Sequence, residues 1–205
     1  MLTQENVIIE PFIRKPWKAL TFGEVKTRSN NKSDNYVHTT LKKLVKEEIL
    51  KEQKIGNNIV YSINQAIFAL NTIGFIAEFK AHQAKHLPHK NIQQIIGKIN
   101  RPYYTFIITG SYAKNKQKET SGVDIVVICD DQQSPNAVLS QIKLESELMV
   151  PEFHPYVFTQ VQFYEMLINK EENYGKEIAR NNLIIAGGRE YYAILLEAVK
   201  HGFNG

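Results

Sequence analysis

The sequence predicts an α+β protein in which a small helix-rich unit ending in a hairpin precedes a small sheet covered by helices. Three observations predict it. Residues 1–64 carry helical apolar stripes and then two alternating segments around a Gly-Asn turn. From residue 103 onward, short apolar strand-like runs alternate with helical patterns, the order of a small sheet with helices packed on it. The stretch between them, 65–89, is too rich in large apolar residues to be a solvated linker. The chain therefore divides into units at 1–64, 65–89 and 90–205.

With 205 residues, 43% hydrophobic and 22% charged, one or two ordinary globular domains are expected. The single cysteine, Cys129, lies in an apolar run and rules out an intramolecular disulfide. With no signal-peptide pattern at the start, a cytoplasmic location is expected. No stretch approaches the ~18 apolar residues of a membrane span, so no membrane partner is expected. The charge is segregated. Residues 1–64 hold 11 Lys and Arg against 7 Asp and Glu, an excess of four, whereas residues 65–205 hold 14 of each. All of the net +4 therefore lies in the first third, which points to an anionic partner for that part alone.

In chain order, Val7, Ile8, Ile9, Phe12 and Ile13 predict a helix over roughly 5–15 with Pro11 in its middle. Ala19-Leu20-Thr21 reads as extended and Gly23 to Ser29 as a short helix. Asp34 to Glu48 is the clearest helix of this region, with Val37, Leu41, Leu44 and Val45 on one stripe and Ser33 or Asp34 able to cap it. Ile49 to Lys54 and Ile59 to Ile63 form the hairpin around Gly56-Asn57-Asn58.

That order, with Thr39 to Leu50 leading into a hairpin that ends in Val60-Tyr61-Ser62-Ile63, resembles a winged helix-turn-helix. The resemblance implies that 34–48 is a recognition helix for double-stranded DNA. Asn35, Tyr36, His38 and Thr39 would face bases or backbone. Lys32, Lys42, Lys43 and Lys46, with Ser33 at the helix start, would meet phosphates, and Lys51, Lys54, Asn57 and Asn58 would form the wing. A homodimer is natural for such a unit. The competing reading is a protein-interaction unit with a solvated lysine face.

Asn64 or Asn71 can cap a long helix running to about Lys85, and this helix must pack on a domain or form a dimer seam. His82, His86 and His89 have near-helical spacing, but Pro88 breaks the geometry before a third metal ligand arrives. Residues 91–100 form another helix, with Ile92, Ile95, Ile96 and Ile99 inward.

Strands follow at Tyr103–Thr109, Val123–Cys129 and Phe153–Phe158, with an apolar segment at Leu183–Ala186. Helices are expected from Ser111 and over about 134–149, 160–169, 175–181 and 190–200. Asp124 stands inside an apolar run, and an unpaired carboxylate there costs several kcal/mol. It needs a metal, a cationic side chain or solvent at a cleft edge.

Gly110-Ser111, a polar loop, and Ser121-Gly122-Val123-Asp124-Ile125-Val126-Val127 resemble the nucleotidyltransferase signature of the DNA polymerase β superfamily. The likeness covers roughly residues 90–200 and implies a nucleotidyltransferase-like mixed sheet. It implies that Gly110, Ser111 and Lys114 contact an NTP, with Lys116 and Lys118 adding charge, and that Asp124 is both the catalytic carboxylate and a ligand of Mg²⁺. The family pattern places two aspartates one residue apart, and the first position here is Gly122. The third family carboxylate is expected in the next strand, which contains no acid; Glu152, just before it, is the nearest candidate.

Two functions therefore remain. One is a DNA-binding regulator, with a toxin protein as partner if the family's antitoxin members are the guide, and with nucleotidyl transfer weak or lost and no cofactor needed. The other is an active enzyme moving NMP from an Mg²⁺-bound NTP to a protein or small-molecule acceptor.

Overall fold

The computed structural model describes residues 5–99 and 104–205. The first unit begins with α1 (Asn6–Arg14), whose Ile8, Ile9 and Phe12 are buried together with Pro11 inside the helix. Burial of that stripe outweighs the backbone hydrogen bond that Pro11 cannot donate. β1 (Leu20–Thr21) leads into α2 (Phe22–Arg28), which a reciprocal Thr21–Glu24 capping box starts one residue earlier than Gly23. α3 (Asp34–Lys46) is capped by Ser33, whose hydroxyl accepts from the Tyr36 amide at 3.3 Å. It stops two residues short of Glu48, which adopts φ +57° beyond the last turn. β2 (Leu50–Ile55) and β3 (Asn58–Ile63) form the hairpin across Gly56 and Asn57, and β1 pairs with β3 to give the order β1-β3-β2.

α4 (Ile67–Gln83) starts from Ala66, without a side-chain cap, so neither Asn64 nor Asn71 caps it. α4 is not a free connector. Gly74 meets Gly188 so closely that a Cβ on Gly74 would stand 2.6 Å from the Arg189 amide nitrogen. Ile67, Phe68 and Phe75 of the same helix face outward, exposed. α5 (His89–Lys98) follows; its expected last residue, Asn100, lies outside the described residues.

The second sheet comprises β4 (Tyr104–Ile108), β5 (Val123–Cys129), β6 (Phe153–Thr159) and β7 (Leu183–Ala186), in the order β6-β5-β4-β7. Tyr103, the expected first residue of β4, lies outside the described residues. β5 runs parallel to β6, while β4 is antiparallel to β5 and β7, so the sheet is mixed. Pro155 is tolerated in β6 because that strand is at the edge of the sheet. Helices α6 (Gly110–Ala113), α7 (Pro135–Ser146), α8 (Gln160–Ile168), α9 (Tyr174–Arg180) and α10 (Gly188–Lys200) complete the chain.

Both faces of this sheet are covered, which explains the near-continuous apolar runs of β4 and β5. Phe106, Ile108, Ile125 and Val127 join Ile92 and Ile95 of α5 and Val138 and Ile142 of α7 in one cluster. Ile107, Val126, Ile128 and Ile184 belong to another cluster that continues through Ile73, Tyr191, Tyr192 and Leu195 into Ile8, Phe12 and Leu41. The core of the first unit and one face of the sheet are thus a single apolar body.

Candidate functional site

The site grows from three neighbouring backbones. β4 ends at Ile108, and the amide of the next residue, Thr109, donates to the Asp124 carbonyl at 2.9 Å, holding the Gly110 turn against β5. Asn181, after α9, accepts the Thr109 hydroxyl on its carbonyl at 2.8 Å and donates its carboxamide to the Gly110 carbonyl at 3.0 Å. The turn is therefore pinned from both sides. Gly110 has φ +65°, and a Cβ there would lie 2.0 Å from Asp124 Oδ2. The glycine is needed twice, for its left-handed backbone and because the Asp124 carboxylate lies in the space of its missing side chain.

The partner that Asp124 requires is His154. The parallel register pairs Asp124 with His154 across β5 and β6, and His154 Nδ1 stands 3.3 Å from Asp124 Oδ1. The other ring nitrogen is 3.5 Å from Glu152 Oε1. The Asp124 side chain is 31% exposed and that of His154 is 44% exposed, so the pair sits at the lip of the sheet, within reach of solvent. His154 and Tyr156 also border an open cleft of about 800 Å³, with Lys143, Glu147 and Glu152 on its rim. Tyr174 packs on Tyr156 with ring centroids 5.0 Å apart. Burial pushes its phenol well above the ordinary value, and the negative charge of Asp124 pushes it in the same direction.

The expected nucleotide contacts do not all gather around Asp124. Gly110 does, and Ser111 follows it as the second residue of α6. Lys114 instead borders a separate cleft with Arg180, Asn181 and Glu172. Lys116 and Lys118 are exposed in the loop that follows. Glu152, the nearest candidate for a third carboxylate, lies against His154. Arg180 is held by Glu172 in a two-pronged ion pair at 2.6 and 2.9 Å.

The donor set at Asp124 does not fit a pair of Mg²⁺ ions. Such ions want several oxygen ligands each, and here one carboxylate is divided between an imidazole and a glycine cradle. Among the described residues, no group of three or more His, Cys, Asp or Glu is arranged to hold a metal. The histidines at 82, 86 and 89 are used otherwise: His86 Nε2 contacts the Tyr112 carbonyl and His89 Nε2 the Ala84 carbonyl, each at 2.9 Å, and the His82 ring stacks on that of His89.

On the first unit, Lys32, Asn35, His38, Thr39, Lys42, Lys54 and Asn57 are exposed. Two expected DNA contacts are placed differently. Tyr36 is half-buried against the core and its hydroxyl is buried without a hydrogen-bond partner. Lys43 is held by Glu5 at 2.8 Å, with Glu47 nearby. Arg14, Lys18, Lys26 and Arg28 also have carboxylate partners. Among the described residues, Lys32, Lys42, Lys46, Lys51 and Lys54 make no ion pair. The unneutralised charge thus falls mainly on α3, the residues leading into it and the hairpin.

Residues 90–181 match the model of the nucleotidyltransferase domain family. That stretch runs from α5 to the end of α9, so Gly110, Ser111, Asp124 and His154 all lie within the part of the chain that is similar to this family. No curated protein and no solved structure gives a match. Among the described residues, no helix is long and apolar enough to cross a membrane.

His154 is the residue that sequence reasoning missed. Its signal was the parallel register, which places it beside Asp124, and register between two strands 30 positions apart is not readable from alternation.

Proposed function

We propose that this protein is a DNA-binding regulator, antitoxin-like in organisation. Residues 1–64 act as a winged helix-turn-helix, and the nucleotidyltransferase domain has given up metal-dependent transfer. Gly122 stands where the active pattern carries its first aspartate. The observation that carries the loss of transfer is the contact of His154 with Asp124, a side chain where the chemistry needs metal-bound oxygens. Without two clamped cations, in-line displacement has nothing to neutralise the charge that develops on the attacking and leaving oxygens.

The DNA reading is supported by charge. The first unit carries the whole net excess, and most of its cations without carboxylate partners lie on α3, just before it and on the hairpin, the elements that would enter the groove and flank it. Exposed Asn35, His38 and Thr39 on the first turns of α3 are the candidates for base contacts.

Fluorescence anisotropy of the full chain on duplex DNA, repeated from 50 to 200 mM salt, tests it. A log–log slope of roughly −3.6 to −5.4, the order expected for four to six phosphate contacts, supports the reading. Affinity that ignores salt, or no affinity at low salt, removes it.

A further inference from the structure

Gly122 does more than withhold a ligand. A Cβ built on it would stand 2.4 Å from His154 Cε1, 2.9 Å from Nε2 and 3.0 Å from Nδ1. No carbon approaches a ring that closely. The imidazole therefore occupies the volume of any side chain at position 122, and in that same pose it reaches Asp124 Oδ1.

We infer that positions 122 and 154 exclude one another. The site holds either an imidazole folded over Gly122 onto Asp124, or a side chain at 122 with that imidazole displaced, and a divalent cation binds only in the second arrangement. His154 is thus a specificity-determining residue of this domain: it sets which partner Asp124 can have.

The backbone around the pair leaves little slack. The parallel register fixes Val123 opposite Phe153 and Asp124 opposite His154, and the Val123 amide donates to the Glu152 carbonyl at 2.7 Å. Phe153 and Val123 are buried, which anchors both strands on either side of the contact. The clash cannot be relieved by separating the strands without breaking this ladder. It is relieved by rotating the ring, which is 44% exposed and borders an open cleft. A side chain at 122 then costs the site its His154–Asp124 contact and uncovers the carboxylate.

The inference rests on the proposed loss of metal chemistry only for its consequence, so the test separates the two. Mn²⁺ affinity is measured by electron paramagnetic resonance on the full wild-type chain, Gly122→Asp, His154→Ala and the double variant. One carboxylate remains in wild type and in His154→Ala; both are expected to bind weakly, the variant about tenfold more tightly because no ring has to leave Asp124. Gly122→Asp is expected to gain most, because its side chain has already turned the ring away and adds a second carboxylate. The double variant is expected to gain no more than Gly122→Asp, falling short of the product of the single effects by about tenfold, a coupling of about 1.4 kcal/mol. Additive effects overturn the inference.

A second readout needs no metal. In Gly122→Ala, the His154 ring resonances are expected to shift while those of the other five histidines stay in place. An unmoved His154 also overturns it. Tight Mn²⁺ binding by the wild type defeats the proposed loss of metal chemistry instead, and the Gly122→Ala spectrum still decides the coupling.

Discussion

Replacing Gly74 by alanine tests the joint that binds the two halves of the chain into one body. Gly74 lies in the interior of α4, where alanine is ordinarily better by about 1 kcal/mol. Here its Cβ would lie 2.6 Å from the Arg189 nitrogen and 2.8 Å from the Gly188 carbonyl carbon, and both atoms are backbone. They cannot rotate away, so α10 has to move off α4. Such overpacking costs about 1–3 kcal/mol. The movement also stretches the hydrogen bond from the Gly188 amide to Glu78 Oε1, now 2.6 Å, which supplies α10 with the cap its own residues lack. A bond of that charged kind contributes about 1.5–3 kcal/mol, part of which is lost. Against the helix-propensity gain, the net loss is about 2 kcal/mol. For a chain of this length that is a fall in Tm of about 4–8 °C. Gly97 is the control: it is helical and exposed, and a Cβ there meets nothing within 4 Å. Gly97→Ala is expected to gain about 0.5–1 kcal/mol. Thermal unfolding followed by circular dichroism reads both. A Gly74→Ala protein melting at or above wild type would refute the packing argument.

Three further outcomes follow from the same structure. Lys42→Ala and Lys46→Ala should each reduce the salt slope of DNA binding by about one, whereas Lys43→Ala should do less because Glu5 already holds that ammonium; equal effects for all three would contradict the placement. Burial raises the phenols of Tyr191 and Tyr192 above the ordinary value near 10, so the folded state keeps protons that the unfolded chain releases. Their contribution is complete below pH 10 and is lost as pH climbs above it, and urea unfolding at pH 8 and pH 11 should show a fall that Tyr192→Phe makes shallower. Gly110→Ala places a Cβ 2.0 Å from Asp124 Oδ2 at φ +65° and should cost at least about 1–2 kcal/mol, part of it recovered by adding Asp124→Gly; calorimetric unfolding checks both steps.

The order of elements was legible in the sequence because the stripes are strong. Ile8, Phe12, Val37, Leu41 and Leu44 all stand in the core where their spacing put them. A sheet covered on both faces was legible from two continuous apolar runs, whereas its mixed strand order was expected only from the family resemblance. Asp124 was legible as a group that needs a partner, because a carboxylate inside an apolar strand is costly. The partner's identity was not, since it depends on strand register. Tyr36 reads as an exposed contact at the start of a helix, yet the angular position of its ring on α3 turns it to the core. Gly74 and Gly188 gave no local signal, as each is explained only by a helix more than a hundred positions away. The role of α4 was therefore hidden, while its apolar richness was plain.

The most direct measurement of the central claim is calorimetry of the wild-type chain with ATP and GTP, each with and without Mg²⁺. With Asp124 held by His154 and no second carboxylate beside it, no magnesium-dependent heat and no transfer of the labelled nucleoside monophosphate are predicted. Magnesium-dependent binding accompanied by turnover would contradict the account.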